Sequence, residues 1–291
     1  MRLAVTGGTG LVGRFVVEEA LAAGDAVTVL TRTAPPRGFF SAPVAHRAWD
    51  LSETPDLSGM DALVHCALAH VPGRYRGGEG DDPAGFRAAN AGGLDRLIAA
   101  AHRAGVGRIV SLSSRAVYGP HEPGTVLTEE TPCRPDTLYG AVKLEGERAL
   151  AASPIPAVSL RATGIYGPPG PGQRHKWADL FDAFARGAPI PPRIGSEVHG
   201  ADLAAAVRLA LTRLAPGPWC VSDILLDRAE LLALWSEITG LRGAVPPPVA
   251  EPARFTEMSA AKLRAAGWRP GGRARLAETL AHIAAGREGL P

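Results

Sequence analysis

The sequence lacks the features that would place it in a membrane or on a nucleic acid. No stretch contains the roughly 18 consecutive apolar residues of a membrane-spanning helix. The formal net charge is only +2, so the chain lacks the concentrated basic charge typical of nucleic-acid binding. Because Met1 leads directly into a predicted strand, we also expect no signal peptide. These absences predict a cytoplasmic protein whose partner is a small molecule, with no nucleic acid and no membrane involved.

Cysteine is scarce, and no residue pattern suggests a metal site. The three cysteines are Cys66, Cys133 and Cys220, an odd number without the paired spacing of metal ligands. The eight histidines form no paired ligand motif, and we interpret His65 and His199 as structural. We therefore expect reduced thiols and no metal.

Lysine is the rarest basic residue, with three copies against 28 arginines. One of the three, Lys143, follows Tyr139 by four positions, so on a helix the two residues would share one face. The ammonium would then favour the phenolate and turn a phenol with an ordinary pKa of about 10 into a base near neutral pH. The same pair could be an accident of an amphipathic helix, so it needs support from elsewhere in the chain.

A glycine-rich segment near the N-terminus gives that support. Residues 2–6 form a predicted buried strand, and residues 11–23 form a predicted helix. Between them, Gly7, Gly10 and Gly13 would let the backbone turn tightly, approach a pyrophosphate and pack the helix on the strand. The helix N-terminus would face the negative charge. The order of strand, glycine turn and helix predicts a dinucleotide site.

The second predicted strand, residues 26–30, lacks an acidic residue at its end. An NAD site usually carries a carboxylate there for the ribose hydroxyls, whereas this chain has Thr31 and Arg32. A guanidinium can pair with a 2′-phosphate through two hydrogen bonds and can stack on adenine. We therefore expect NADP to be preferred over NAD.

Several spaced motifs together resemble the extended short-chain dehydrogenase/reductase family, also described as the NAD-dependent epimerase/dehydratase family. The resemblance runs nearly end to end. Besides the glycine-rich turn and the Tyr139/Lys143 pair, it rests on Asp50-Leu51 and on segments 61–67, 90–94 (opening a helix), 111–119, 160–167 and 198–204. It implies an α/β fold with a doubly wound parallel Rossmann sheet and a small, discontinuous C-terminal substrate lobe.

The resemblance also implies roles for individual residues. Ser114 would bond the substrate oxygen, Tyr139 would exchange the proton, and Lys143 would hold the nicotinamide ribose and lower the tyrosine pKa; Ser113 is the second choice for the hydroxyl. The predicted cofactor residues are Gly7, Thr9, Gly10, Leu11, Val12, Arg32, Asp50, Leu51, Ala67, Asn90, Tyr139 and Lys143. The predicted substrate residues are Ser114, Arg161, Tyr166, Arg174 and Lys176. For Arg174 and Lys176 an equal alternative is that they only cap the solvated start of a helix.

The predicted site lacks residues that some reactions of the family require, which argues against those reactions. Sugar dehydratases of the family carry Asp-Glu directly after the catalytic hydroxyl residue, and members that epimerise next to a ketone carry a cysteine two positions after it. This chain has Arg115 and Ala116 there. The arginine that grips the diphosphate of nucleotide sugars is replaced by Gly195. Simple carbonyl/alcohol redox chemistry remains, or 4-epimerisation through transient oxidation.

The chain is long and apolar enough for one large or two unequal domains, with 291 residues of which 46% are hydrophobic. Alternating strand and helix signals predict a dinucleotide-binding domain at residues 1–165 with about 199–222. Residues 166–198 and 223–291 are left for the substrate lobe. A polar, glycine-rich stretch at 74–82 predicts a loop near the cofactor.

These expectations combine into an NAD(P)-dependent oxidoreductase that interconverts a carbonyl and a secondary alcohol on a small or sugar-like substrate. Ser/Tyr/Lys acid–base catalysis would accompany hydride transfer. The alternatives are an NAD-dependent nucleotide-sugar 4-epimerase and a non-catalytic NADP-binding sensor, although a sensor has no need of all three catalytic residues. Family habit suggests a homodimer.

Overall fold

Short strands form a large and a small sheet. The computed structural model describes residues 1–71 and 78–288. Its strands are β1 (Arg2–Thr6), β2 (Ala26–Thr31), β3 (Ala45–Ala48), β4 (Ala62–His65), β5 (Arg108–Ser114), β6 (Ala157–Ala162), β7 (Gly164–Tyr166), β8 (Ile194–His199), β9 (Gly217–Val221) and β10 (Ile224–Asp227). The large sheet has the order β3-β2-β1-β4-β5-β6-β9 with every neighbouring pair parallel. Its inner strands are buried on both faces, which is why they appear in the sequence as short apolar runs.

Helices cover both faces of the large sheet. The helices of the described residues are α1 (Gly13–Ala22), α2 (Pro83–Arg103), α3 (Leu138–Ala152), α4 (Ala178–Ala185), α5 (Gly200–Thr212), α6 (Arg228–Thr239), α7 (Ala261–Ala265) and α8 (Gly272–Glu288). Val17 of α1 and Val207 of α5 belong to one apolar cluster, and Leu97 of α2 and Leu150 of α3 to another. This arrangement confirms the predicted doubly wound α/β fold. Within the described part of the chain, no helix is long and apolar enough to cross a membrane.

The start of α2 differs from the prediction. The helix was expected to open at Asn90, but it begins at Pro83, with the side chain of Asp82 accepting a hydrogen bond from the Gly85 N–H at 2.8 Å. Aspartate at the N-cap followed by proline is a strong helix start. The predicted loop at 74–82 lies partly outside the described residues, and residues 78–81 form a turn.

The strand order creates a crevice at one edge of the sheet. β1 lies between β2 and β4, so the segments that follow β1 and β4 lead to opposite sides. In open α/β sheets, ligands bind beyond the carboxyl ends of the strands at such a reversal. The glycine-rich turn after β1, the segment after β4 and Ser114 at the end of β5 all lie at this edge.

The small sheet supports a third apolar cluster. Its strand β8 pairs parallel with β7 and antiparallel with β10. Phe181 of α4 stacks on Trp235 of α6 with ring centroids 4.1 Å apart, and α8 adds Leu276 and Leu280. The contributing segments are separated in the chain by α5 and β9. We therefore keep residues 166–198 and 223–291 as the proposed substrate lobe.

Candidate active site

The glycine-rich turn between β1 and α1 has no room for side chains at two positions. Gly7 has a φ of +64°, and a Cβ there would come within 2.9 Å of the Ala67 backbone. A Cβ at Gly13 would lie 2.1 Å from the carbonyl oxygen of Gly7. The N-cap residue of α1, Val12, makes no side-chain capping bond. A bare backbone surface at a helix N-terminus fits a dinucleotide pyrophosphate.

Beneath this turn, Thr6 and His65 join the ends of β1 and β4. The Thr6 hydroxyl oxygen accepts hydrogen bonds from the N–H groups of Cys66 and Ala67, each at 3.2 Å. Its own proton is therefore donated to Nδ1 of His65 at 2.8 Å, which leaves the imidazole proton on Nε2. Burial, assisted by the charge of Lys143, lowers the pKa of His65 to about 3. His65 is thus a neutral, structural residue in the floor of the site.

We expect acid to destabilise the protein through His65. Its folded-state pKa of about 3 lies below the ordinary value of 6.5, so between these values the unfolded chain binds the extra proton and stability falls as the pH falls. This residue should lower the free energy of unfolding by up to about 1.4 kcal/mol per pH unit within that window. In His65→Asn the amide oxygen can still accept the hydrogen bond from Thr6. The free energy of unfolding of this variant should therefore depend less on pH. Urea unfolding at neutral and mildly acidic pH measures how the free energy of unfolding changes with pH. An equal change in the unaltered protein and in the variant would contradict the assignment.

Arg32 and Asp50 lie near each other at the predicted adenine end of the site. Hydrogen bonds from Ser52 hold the pKa of Asp50 below its ordinary value, and the charges of Arg32 and Arg96 lower it further. Arg32 itself is exposed. The neighbouring Leu51 packs so closely on α2 that a Cβ at Gly93 would come within 2.7 Å of it.

Asn90 holds the segment that follows β4. Its side-chain oxygen accepts a hydrogen bond from the Ala69 N–H at 2.8 Å, and its nitrogen donates to the carbonyl groups of Ala69 and Phe86 at 2.9 Å. Asn90 was predicted to contact the cofactor. These bonds fix the backbone of the segment after β4, which contains Ala67.

The three predicted catalytic residues lie at the end of β5 and in the first turns of α3. Ser114 closes β5, and its hydroxyl accepts a hydrogen bond from the Ala116 N–H at 3.2 Å. Tyr139 and Lys143 share one face of α3, with Nζ of Lys143 at 5.8 Å from the centre of the Tyr139 ring. The same ammonium donates to the carbonyl oxygen of Leu112 in β5 at 2.8 Å. The helix and the strand end are therefore joined through the lysine.

Gly140 sets how closely α3 approaches the turn after Ser114. A Cβ at Gly140 would lie 2.4 Å from the carbonyl oxygen of Ala116. The Thr137 side chain caps the helix by accepting from the Gly140 N–H at 3.1 Å. Ser113 is buried and donates to Glu147, whereas Ser114 is partly exposed. This difference favours Ser114 over its neighbour as the substrate-facing hydroxyl.

A cavity of about 340 Å³ adjoins Tyr139, and we call it the substrate cavity. Its wall contains the charged or titratable side chains of Glu79, Arg115, His121 and Asp136. The volume is within the range of small-molecule sites. Among the described residues, no group of three or more His, Cys, Asp or Glu side chains is placed to hold a metal ion.

Arg161, predicted to bind substrate, is buried in an ion pair. Its side chain is 5% exposed and lies 2.7 Å from the carboxylate of Glu147, which is 9% exposed. It also donates to the Tyr118 hydroxyl at 2.9 Å, and that hydroxyl donates to the Thr128 carbonyl at 2.8 Å. The enclosure of this guanidinium favours a structural role over the predicted contact with substrate. The signal that was overlooked is Glu147, one helical turn after Lys143 on α3.

Tyr166, also predicted to bind substrate, is enclosed by aromatic side chains. It is fully buried, stacks on Trp177 with ring centroids 5.1 Å apart and meets His199 edge-on. Burial raises the pKa of the phenol. Tyr166 therefore packs in the third apolar cluster.

The cations at the start of α4 are held by carboxylates. Arg174 donates to Asp179 and Asp182, both at 2.7 Å. Lys176 pairs with Glu197 of β8. Neither cation lines the substrate cavity. The contacts favour the second of the two predicted alternatives, in which these residues stabilise the beginning of the helix.

The proline-rich loop after β7, residues 167–173, is hydrogen-bonded to the glycine-rich turn. No sequence motif indicated this contact. Gln173 donates from Nε2 to the carbonyl oxygen of Thr9 at 2.9 Å. Phe15 of α1 fills the space beside two glycines, since a Cβ would come within 2.5 Å of its ring at Gly167 and within 2.1 Å at Gly200. The loop and α1 therefore form one packed unit.

Known proteins share this fold and these motifs. A UDP-glucose 4-epimerase from Lacticaseibacillus casei is 32% identical over 180 residues, 57% of this chain and 52% of that protein. The chain spans about half the length of such curated relatives. A 3-diazoavenalumate denitrifying reductase from a Streptomyces species is 29% identical over 268 residues, 87% of this chain and 85% of that protein.

Solved structures agree with the fold. The UDP-glucose 4-epimerase of Thermus thermophilus in complex with NAD superposes with a TM-score of 0.78 at 26% identity, and 100% of each chain is covered. The model of the NAD dependent epimerase/dehydratase family matches residues 3–219. Because that range contains the glycine-rich turn, the parallel sheet and the Ser114, Tyr139 and Lys143 cluster, the chain belongs to the NAD dependent epimerase/dehydratase family.

Proposed function

We propose that the protein is an NADP-preferring oxidoreductase that interconverts a carbonyl and a secondary alcohol on a small substrate. The observation that carries the proposal is that Tyr139 lines the substrate cavity, while Lys143 on the same helix donates to β5, the strand that ends at Ser114. This is the arrangement that general acid–base catalysis beside a bound dinucleotide requires.

The proposal gives each side chain the role that the family resemblance implies. A bound nicotinamide would supply or accept the hydride. The Ser114 hydroxyl donates a hydrogen bond to the substrate oxygen, and Tyr139 delivers a proton to that oxygen in reduction and removes it in oxidation. Lys143 would hold the ribose hydroxyls of the dinucleotide beside the Tyr139 ring. Its bond to the Leu112 carbonyl at 2.8 Å keeps the ammonium in place.

Three observations support reduction over nucleotide-sugar epimerisation. Position 195, where a diphosphate grip is expected, is a glycine in β8. The cations Arg174 and Lys176 are engaged by carboxylates. The Streptomyces reductase matches 87% of this chain, against 57% for the Lacticaseibacillus epimerase.

Net consumption of the cofactor distinguishes the proposed reductase from a 4-epimerase. The similarity to the Thermus structure with NAD favours the 4-epimerase. An epimerase regenerates its dinucleotide in each cycle, so it retains it and shows no net absorbance change. A reductase exchanges the cofactor at every turnover. We expect protein purified largely free of nucleotide that oxidises NADPH stoichiometrically with a carbonyl substrate. Stoichiometric NAD released on denaturation, together with interconversion of two nucleotide hexoses without added cofactor, would establish the epimerase.

The cofactor preference should depend on Arg32. NADPH is expected to bind more tightly than NADH, because the exposed guanidinium near Asp50 can pair with the 2′-phosphate. Arg32→Asp should reverse or abolish the preference through a loss of about tenfold to a hundredfold in NADPH affinity. Fluorescence titration with both dinucleotides measures this. NADH binding as tight as NADPH binding in the unaltered protein is the result that would rule it out.

A further inference from the structure

An arginine follows the catalytic serine directly and stands in the wall of the substrate cavity. Arg115 begins the short turn that Ser114 caps, and its side chain lines the same cavity as Tyr139. One guanidinium nitrogen donates to the carbonyl oxygen of Thr256 at 2.5 Å. The guanidinium carbon lies 5.5 Å from the centre of the Phe255 ring. The C-terminal segment therefore restrains this cation in the cavity wall that also contains Tyr139.

The segment that restrains Arg115 is itself fixed to the body of the protein. The Leu127 N–H donates to the carbonyl oxygen of Glu257 at 2.7 Å, and the Ser259 N–H donates to that of Leu127 at 2.8 Å. Leu127 and Met258 are fully buried neighbours in a parallel bridge. A guanidinium held in this way loses little freedom when it binds a ligand, and its planar fork matches a carboxylate.

The remaining charges of the cavity restrict which anion is accepted. Glu79 and Asp136 also line it, so in the described wall two carboxylates accompany the guanidinium of Arg115, with His121 as a further titratable side chain. A diphosphate would bring several negative charges into this mixed environment and would be repelled. A single carboxylate bound at Arg115 is compensated directly. The two carboxylates therefore disfavour a highly charged diphosphate, and Arg115 marks the position in the described wall at which one carboxylate can be compensated.

We propose that Arg115 determines specificity for carbonyl substrates that carry a carboxylate close to the reacting carbon, that is, oxo acids and the matching hydroxy acids. The inference rests on the oxidoreductase function proposed above and adds the substrate class. Arg115 binds the carboxylate, while Ser114 and Tyr139 act on the neighbouring carbonyl oxygen.

Matched pairs of ligands test this assignment. The acids are oxo carboxylic acids whose carbonyl is at carbon two, three or four, and each is compared with its own primary amide. Turnover with NADPH and binding in the presence of NADP are measured for both members of each pair. We expect each acid that fits to be favoured over its amide by about tenfold to a hundredfold, as for a charge-assisted contact. Arg115→Gln should bring that ratio close to one, and Arg115→Lys should restore part of it.

If Arg115 had a purely structural role, its substitution would weaken the turnover and binding of the acid and of the amide equally. The acid-to-amide ratio therefore distinguishes ligand binding from support of the fold. Arg254→Gln is the matched control, because Arg254 comes from the same C-terminal segment, pairs with Glu251 at the surface and does not line the cavity. Its acid-to-amide ratio should be that of the unaltered protein.

Each outcome has one meaning. Amides that bind and react as well as their acids, or a ratio unchanged by Arg115→Gln, would overturn the carboxylate assignment while leaving the oxidoreductase function intact. Acids that bind preferentially through Arg115 without any consumption of NADPH would support the assignment and refute the reductase. A panel in which no acid binds more tightly than its amide overturns the assignment whatever reaction is later found.

Discussion

Tyr139→Phe should remove nearly all turnover and leave cofactor binding close to normal. The phenol is the group placed to exchange a proton with the substrate oxygen, and positioned proton transfer of this kind contributes about 10²–10⁴-fold to a rate. The phenylalanine ring keeps the contact with Lys143, whose ammonium lies 5.8 Å from the ring centre. Steady-state rates and dinucleotide titration on the same preparation check both halves of the expectation.

Tyr166→Phe is the matched control for this experiment. The Tyr166 hydroxyl is buried and has no hydrogen-bond partner among the described residues, so its removal costs neither a bond nor a catalytic group. We expect activity near that of the unaltered protein. If Tyr139→Phe retained substantial activity on a verified substrate, the acid–base role would be refuted. A large loss in Tyr166→Phe would instead return that residue to the substrate site.

Arg161→Met should unfold far more easily than the unaltered protein. Removing the guanidinium leaves the carboxylate of Glu147 buried with the Ser113 hydroxyl but without its cation. Breaking a buried ion pair by deleting one partner costs about 3–5 kcal/mol. The free energy of unfolding in urea measures the loss. A substrate-binding arginine would show the opposite pattern, with little change in stability and a raised KM.

The double variant Arg161→Met with Glu147→Leu separates the lost charge from the lost packing. With both charges gone, no carboxylate remains uncompensated, and much of the stability should return. A double variant as unstable as the sum of the two single variants would mean that the two residues act independently, contrary to the contact at 2.7 Å.

Local features of the chain predicted the elements that form the cofactor edge. The strand at residues 2–6 was predicted with its observed bounds, and the segment after it has the tight geometry that Gly7 and Gly13 suggested. Tyr139 and Lys143 do lie on one helical face. These features depend on backbone conformation and helical spacing, which a short stretch of sequence determines by itself.

Residues whose environment is made by distant parts of the chain could not be interpreted from local sequence. Arg161 lies in a motif beside the site, but the direction of its side chain was decided by Glu147 on α3. Arg115 was noted for the acidic residue it replaces, while its position depends on Phe255 and Thr256 near the other end of the chain. The start of α2 was missed for a local reason, because Asp82 and Pro83 lie within a polar stretch that was interpreted as a loop.

The contact of Phe15 with Gly167 and Gly200 bears on how such a protein can be recombined. Residue 15 belongs to the first helix, yet the space it occupies is provided by a loop and a helix much later in the chain. A chimera that joins the first half of this protein to the second half of a relative would fail wherever the relative carries a side chain at either glycine. Exchange of specificity between relatives therefore has to transfer all three positions as a set.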